Sequence, residues 1–569
     1  MLGQFPPTES AKRVIIDIET YDPLLQDKGV SYVYDLGHIL GIGIKLDNQP
    51  AQYYPLRHKR ETNYDLDQVN RYLCSIPSNA TIVCHHAPYD IGWLYHDTGW
   101  LHAGRFRDTL IMAQLNKNNC SSFSLDYLSK TMGLGEKIEI DPTKLYQMPI
   151  GTIEKYCCHD VDLTAKLDDK LAKYRDSEAA QREFALIPIL VKMKQQGVKI
   201  NEGQLNALER DFKSLLSMEL NNCGIEDIWA NARIVELFNR LGLSYPRTKP
   251  TKRHGLGFPS FPTWFLESVT HPQVMALHNA RKLHRLINTF CVGIKSYLKN
   301  GKIYPDFFNG CSEYGGTITG RFSSGHPNVQ QIPHRSHEGN RIRSTFIPEE
   351  GKLLFKFDYK QQEPTLMLHY ASKLNLPEIQ KWRDLYVSPD ADFYSPIQIA
   401  MHIERFPAKT ITLATCYNMG PEKLSRMMHI DMKQSVEYLM QFRATVPWLK
   451  PLKDHCLTKA NARGWIKTLG GRQLQFNRAS ASDSFNHLIQ GSAADQTKQA
   501  MINIHEQLGL VPLLQVHDEL LYELDEEQIN KEIDLDIQVI MEDAFELDFP
   551  VRVDMGAGLN WKQCDENKN

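Results

Sequence analysis

The sequence predicts a multidomain chain, α/β in its N-terminal part and α+β in its C-terminal part. Three observations predict it. The chain has 569 residues, and a single hydrophobic core stops growing at about 250–300. Apolar strands alternate with helices over roughly the first 175 residues, which is the pattern of an α/β unit. Helical spacing then dominates to about residue 310, after which apolar strands return.

Composition narrows the function less than the motifs do. Hydrophobic residues make up 42% and charged residues 23%, ordinary for a globular protein. Lys+Arg total 65 against Asp+Glu 68, a net charge of -3. Acidic catalytic sites offset a basic groove, so this balance neither supports nor excludes nucleic acid. The 11 Cys include no CxxC pair, which reads as reduced thiols in a cytoplasmic protein. No apolar run approaches the ~20 residues of a membrane span. The start, MLGQFPPTESAKR, lacks the apolar stretch of a signal peptide. A membrane partner is not expected.

VIIDIET at 14–20 reads as a buried strand. Asp17 and Glu19 are two residues apart on it, so both side chains lie on one face. TIVCHH at 81–86 reads as a second strand, running into a helix that carries Asp90. A helix beginning near Thr152 carries Tyr156 and Asp160, four apart and on one face. These four carboxylates form a set suited to paired hard cations, with the tyrosine placed to orient an attacking water.

ALIPILVKMKQQGV and ARKLHRLINTFCVGIKSYLKNG predict a helical arm. Between them RTKPTKRHGLGFPSFP, basic and rich in Gly and Pro, is a loop suited to backbone phosphates. KLLFKFDYK then predicts a strand ending at Asp358, and LLQVHDELLYEL a hairpin with Asp518 and Glu519 near its tip. Asp358 and Asp518 both follow apolar strands, so they are expected to end neighbouring strands of one sheet and to form a second metal-binding set. Between them Arg405, Lys409, Leu413 and Tyr417 are each four apart. They make one helical stripe of roughly 18 Å, about the reach of a nucleoside triphosphate. Pro407 fits only near the first turn, which puts Arg405 at the helix N-terminus, where the dipole favours phosphate.

The order DxE, HxxxD, YxxxD within 160 residues resembles the DEDDy type of 3′→5′ proofreading exonuclease. The segments TGRFSSGHPNVQQIP, FDYKQQEP, RFPAKTITLATCYNMG, KTLGGRQL, FNHLIQGSAAD, VHDE and GAGLNW occur in the order found in family A DNA polymerases, of the bacterial DNA polymerase I and bacteriophage type. The resemblance implies a ribonuclease H-like exonuclease over 1–175, then a right-hand polymerase. Its parts would be a helical connector and thumb over 176–310, palm over 311–383, fingers over 384–455 and palm again over 456–569. It implies two Mg2+ per site, with Mn2+ able to substitute, held by Asp17, Glu19, Asp90 and Asp160 in one. The other would use Asp358, Asp518 and the Tyr359 carbonyl, with Glu519 as the neighbouring carboxylate.

By the same resemblance Arg405 and Lys409 bind triphosphate, and Lys409 is a proton donor to pyrophosphate. Tyr417 and Glu363 close the sugar pocket, and Gln361 contacts nucleotide. Arg321, Asn486, Gln490 and His517 contact primer–template DNA. Four departures bear on nucleotide affinity and selectivity. Leu413 stands for Phe or Tyr, Tyr394 for a triphosphate-contacting His, Asn418 for Gly and Thr365 for Arg. A fifth, His86 for Asn, bears on DNA-end binding at the exonuclease site. The implied function is template-directed DNA synthesis from deoxynucleoside triphosphates with proofreading. The alternative is a nuclease or repair protein with a degenerate polymerase body. The exonuclease motifs begin close to the N-terminus, leaving no room for a 5′ nuclease domain. That suggests phage genome replication by a monomer, with replication accessory proteins as further partners.

Overall fold

The computed structural model describes residues 4–59, 62–251, 255–311, 315–388 and 390–566. Of the predicted basic loop, Lys252, Arg253 and His254 lie outside the described residues. No described helix is long and apolar enough to cross a membrane.

The N-terminal sheet comprises β1 (Arg13–Tyr21), β2 (His38–Leu46), β3 (Gln52–Pro55), β4 (Thr81–Cys84) and β5 (Arg105–Asp108). Its order is β3-β2-β1-β4-β5. β1 is central, antiparallel to β2 and parallel to β4, so its apolar residues Val14, Ile15 and Ile16 are fully buried. The Ile150–Lys170 helix crosses this sheet because β2 offers it glycine. A Cβ at Gly43 would lie 2.6 Å from Cys157 Sγ and 2.8 Å from Val161 Cγ2. Gly43 pairs with Asp17 across the β1–β2 ladder. This close approach is what brings the helix face carrying Tyr156 and Asp160 against the carboxylates of β1.

The arm is helical as expected, but short strands join it to the C-terminal half. Val198–Ile200 pairs with Lys302–Ile303 and with Phe346–Ile347, and Asp306–Phe308 pairs with Ser323–Gly325. At its base Leu205, Leu208 and Phe212 pack with Leu283, Leu286 and Phe290. Its far end has a separate small core of Ile234, Leu237, Phe238, Phe261, Val274 and Leu277.

The C-terminal half is built on an antiparallel four-stranded sheet. Its order is Leu514–Val516, Glu519–Asp525, Lys352–Tyr359, Val553–Gly558. Phe355, Phe357 and Tyr359 point into a core with Met501, Ile504, Ile537 and Met541. By the two-residue period of a strand, Lys356 and Asp358 then face the opposite side. A further helical core, formed by residues from Leu366 to Ala493 and by Phe549, packs beside the sheet.

Three expected boundaries fall within continuous or paired elements. The one at 310 separates hairpin partners Asp306–Phe308 and Ser323–Gly325. Those at 383 and 455 fall inside the helices Ile379–Tyr386 and Leu449–Arg463. Sequence motifs mark where chemistry sits, whereas boundaries follow shared burial: Leu449, Leu452, Cys456 and Ala460 all belong to one core.

Candidate active sites

The N-terminal carboxylates converge on a cleft of about 460 Å³ lined by Asp17, Glu19, Asp90, Tyr156 and Asp160. The expected set is thus brought together whole. Asp17 and Glu19 share a face of β1 with Cys157 behind them, and candidate ligand atoms of the three lie within 4.8 Å of one another. Asp90 lies one turn into the Ala87–Thr98 helix, and its Oδ1 accepts from the Ile18 N–H at 3.2 Å. His86 takes the left-handed conformation before that helix, φ 73°, a region where Asn and His are both enriched. Asp108 fixes this turn, accepting from the N–H groups of His86 at 3.0 Å and Ala87 at 2.8 Å. The replacement of Asn by His therefore keeps the backbone and alters only what faces the cleft.

Burial, with Asp160 next, pushes Asp17 up to about 7. Burial and then Asp17 push both Glu19 and Asp90 well above the carboxylate range. Asp160 Oδ1 is buried without a hydrogen-bond partner. Crowded carboxylates and an orphaned buried oxygen fit a site for divalent cations. Sequence reasoning missed Lys137, which lies on the loop before Asp141. Its ammonium is 2.6 Å from Asp160 Oδ2 and 4.9 Å from the centre of the Tyr156 ring. Burial would lower its pKa, but Asp160 and Tyr156 outweigh burial and raise it. No spacing marks a residue that reaches its site from a loop.

In the second site Asp358 pairs across the ladder with Glu519 on one side and Asp554 on the other. Asp518 occupies the hairpin turn beside them, and its carbonyl accepts from the Tyr359 N–H at 3.3 Å. Burial, followed by the Asp358 charge, pushes Asp518 up to about 7. That enforced closeness of two carboxylates again fits a divalent cation. Glu519 is occupied otherwise: Trp561 Nε1 donates to its Oε1, and Lys356 Nζ lies 3.0 Å from its Oε2. Lys356 also reaches Asp565 at 2.5 Å and Asp358 at 3.7 Å. Arg343 stacks 3.9 Å from the centre of a Trp561 ring. The C-terminal segment thus braces the acidic strand from below. Lys356 was open to detection, being two residues from Asp358 on the same strand face; Asp554 and Asp565 were not.

The stripe lies on the Arg405–Cys416 helix, with Tyr417 as its cap. Ala408 and Ile411 bury the opposite face. Burial lowers the Lys409 pKa, with Arg335 and Arg405 adding to it and Asp518 and Asp358 opposing. The Tyr417 hydroxyl donates to Glu363 Oε2 at 3.0 Å and accepts from Gln490 Nε2 at 3.2 Å. Glu363 also pairs with Arg321. Asn418 has φ 53°, a glycine-like conformation that Asn tolerates. Thr365 is buried and donates to the Gln361 carbonyl at 3.1 Å. Asn486 lies in the first turn of the Ser484–Leu508 helix. His517 sits in the hairpin turn with φ 61°, and burial, then Arg321, lower its pKa.

Three expected contacts differ in this conformation. Gln361 donates to Asp392 Oδ1 at 2.6 Å and accepts from the Phe393 N–H at 2.7 Å, so its amide is spent within the fold. Tyr394 is 3% exposed, its ring beneath the Arg405 guanidinium. Arg405 itself pairs with Asp392.

The raised carboxylates give a pH-dependent signature. Asp17 and Asp518 titrate near 3.8 when unperturbed and near 7 here. Folded protein therefore binds more protons than unfolded between those values, and metal-free stability falls as pH rises through that window. Substituting both by Asn removes the penalty. The Tm of Asp17→Asn/Asp518→Asn relative to the parent, without metal, is expected to rise from about pH 4 to about pH 7 and to level off above it. A difference independent of pH would mean that these carboxylates are not crowded.

A family model described as DNA polymerase family A matches residues 200–563. The chain is 29% identical to the DNA-directed DNA polymerase of Pseudomonas phage M6, over 98% of this chain and 95% of that protein. It is 26% identical to DNA polymerase I of Pseudomonas aeruginosa, over 98% of this chain and 64% of the relative. Against the thermostable DNA polymerase I of Thermus aquaticus identity is 29%, over 68% of this chain and 48% of the relative. The chain therefore spans about half the length of the thermostable polymerases and nearly all of the phage protein. Its fold is similar to that of the POL domain of Pol1 from M. smegmatis in complex with DNA primer-template and dNTP. There the TM-score is 0.79 at 23% identity, over 98% of this chain and 97% of that one.

Proposed function

The chain belongs to DNA polymerase family A and is a DNA-directed DNA polymerase, and from that premise we propose that it works through two separate sites, one extending a primer and one trimming 3′ ends. The four-stranded sheet is the palm, the helical core beside it the fingers, and the arm the thumb. The N-terminal domain is the exonuclease. Primer–template DNA and deoxynucleoside triphosphates are the partners, and phage genome replication by a monomer, with or without accessory proteins, is the setting this reading favours.

The observation that carries the polymerase assignment is the meeting of Asp358 and Asp518 at one end of the sheet, within electrostatic reach of Lys409. Family A polymerases use divalent metal ions; here Asp358, Asp518 and the Tyr359 carbonyl would hold Mg2+. Such ions, when bound, lower the pKa of the primer 3′-hydroxyl and neutralise the triphosphate. The remaining tasks fall to side chains. Lys409 places an ammonium near the phosphates and donates a proton to departing pyrophosphate. Trp561 and Lys356 keep both Glu519 oxygens engaged, which orients the acidic turn. Glu363 holds the Tyr417 hydroxyl at 3.0 Å, so that the ring fills the space a ribose 2′-hydroxyl would need.

At the N-terminal cleft Asp17, Glu19, Asp90 and Asp160 would hold the cations, and Tyr156 would orient water toward the terminal phosphodiester. Lys137 beside Tyr156 and Asp160 supplies a fixed positive charge where phosphate would enter.

Primer extension by the purified chain, with and without Mg2+ and with deoxy- or ribonucleotides, tests this reading. Extension is expected to require template, metal and deoxynucleotides. Glu363→Ala is expected to raise ribonucleotide use relative to deoxynucleotide use by about tenfold, the effect of roughly 1.4 kcal/mol of lost steric exclusion. A selectivity ratio that does not move would place discrimination elsewhere.

A further inference from the structure

The triphosphate-binding reading of Arg405 meets an obstacle in the structure: an anion already occupies its guanidinium. Asp392 Oδ1 accepts from Nη2 at 3.0 Å and Oδ2 from Nε at 3.2 Å. A guanidinium fork of this kind receives carboxylate and phosphate in the same way. The same Oδ1 accepts from Gln361 Nε2 at 2.6 Å. One carboxylate thus engages both a cation and an amide that the family reading assigns to the nucleotide.

We propose that Asp392 is a specificity-determining residue, an internal stand-in for nucleotide phosphate that holds Arg405 and Gln361 and must be displaced when a triphosphate enters. The inference rests on the reading of Arg405 as a nucleotide contact. The position of Asp392 suits the role. Arg552 donates to the carbonyls of Tyr386 at 3.2 Å and Ala391 at 3.3 Å, which anchors the residue directly before Asp392. Gln361, directly after the Asp358 strand, grips Asp392 from the palm side. Arg405 comes from the other side, at the first residue of its helix. The ion pair therefore ties that helix to the sheet without help from the catalytic carboxylates.

The pair is also poised to exchange. The Arg405 side chain is 53% exposed and that of Asp392 is 18% exposed, and partly exposed pairs are weak enough to be outcompeted. The Tyr394 ring lies 5.1 Å from the guanidinium carbon, so the arginine stays oriented when the carboxylate leaves. A polyphosphate brings more negative charge to the fork than a carboxylate does, whereas a nucleoside brings none. Asp392 would thus weaken every nucleotide by the same competition and leave only polyphosphates able to win it.

The test is steady-state extension of a saturating primer–template by the full chain. Asp392→Asn keeps an acceptor for Gln361 and removes the charge. KM for deoxynucleotide is expected to fall by about two- to fivefold, the range of a partly exposed ion pair, with a smaller change in kcat. Inhibition by inorganic pyrophosphate is expected to tighten by a similar factor. Asp392→Ala gives the same readings should the amide disturb the loop. If Arg405→Ala raises KM but neither Asp392 variant lowers it, the stand-in role is overturned. If Arg405→Ala leaves KM unchanged, the nucleotide-binding reading of the helix fails, and this inference with it.

Discussion

Asp17→Ala combined with Glu19→Ala is expected to lower 3′→5′ degradation of single-stranded DNA by about 10³-fold or more, with primer extension within about twofold of the parent. Both carboxylates lie on β1, packed in a core that shares no residue with the four-stranded sheet. The substitution also removes two buried charges that burial and mutual repulsion already disfavour. Thermal stability is therefore not expected to fall, and loss of degradation would not report unfolding. Degradation assays on a single-stranded 3′ end, extension assays and a melting curve on the same preparation decide it. Equal loss of both activities at unchanged Tm would refute the two-site reading.

Lys409→Ala is expected to slow incorporation by about 10²-fold, the scale of a lost general acid or electrostatic contact. Degradation should remain at the parental rate. Burial and the neighbouring arginines lower the Lys409 pKa, which brings its ammonium closer to the strength of a useful proton donor. Lys409→Arg separates the two roles, because guanidinium keeps the charge and does not give up its proton. Recovery of nucleotide KM without recovery of the single-turnover rate would identify proton donation as the larger part. An unchanged rate in Lys409→Ala would remove this helix from the chemistry.

The carboxylate sites were readable because metal ligation constrains residue type and local spacing together. Asp17 with Glu19 obeys the two-residue period of a strand, and Tyr156 with Asp160 the four-residue period of a helix; the structure brings both pairs to one cleft. The stripe from Arg405 to Tyr417 follows from the same helical period. What the sequence left out was competition among polar groups. Gln361 and Arg405 have the right chemistry for a nucleotide, yet Asp392 satisfies both. The domain limits expected at 383 and 455 fall inside helices, because a helix ends where its burial ends, not where a motif does.

The sequence by itself determined the reaction class through the resemblance of its ordered motifs to family A DNA polymerases, while local periodicity showed only which carboxylates share a face. Tertiary structure alone decided which charges neutralise which. Lys137 comes from a loop to Asp160, and Asp565 comes from the last described helix to Lys356, more than two hundred residues away in sequence. Gly43 lets a helix approach β1 closely enough to complete the first site. Coulomb interactions act through space and are strong only at a few ångströms. Their partners are therefore fixed by how elements pack, and no pattern along the chain records them.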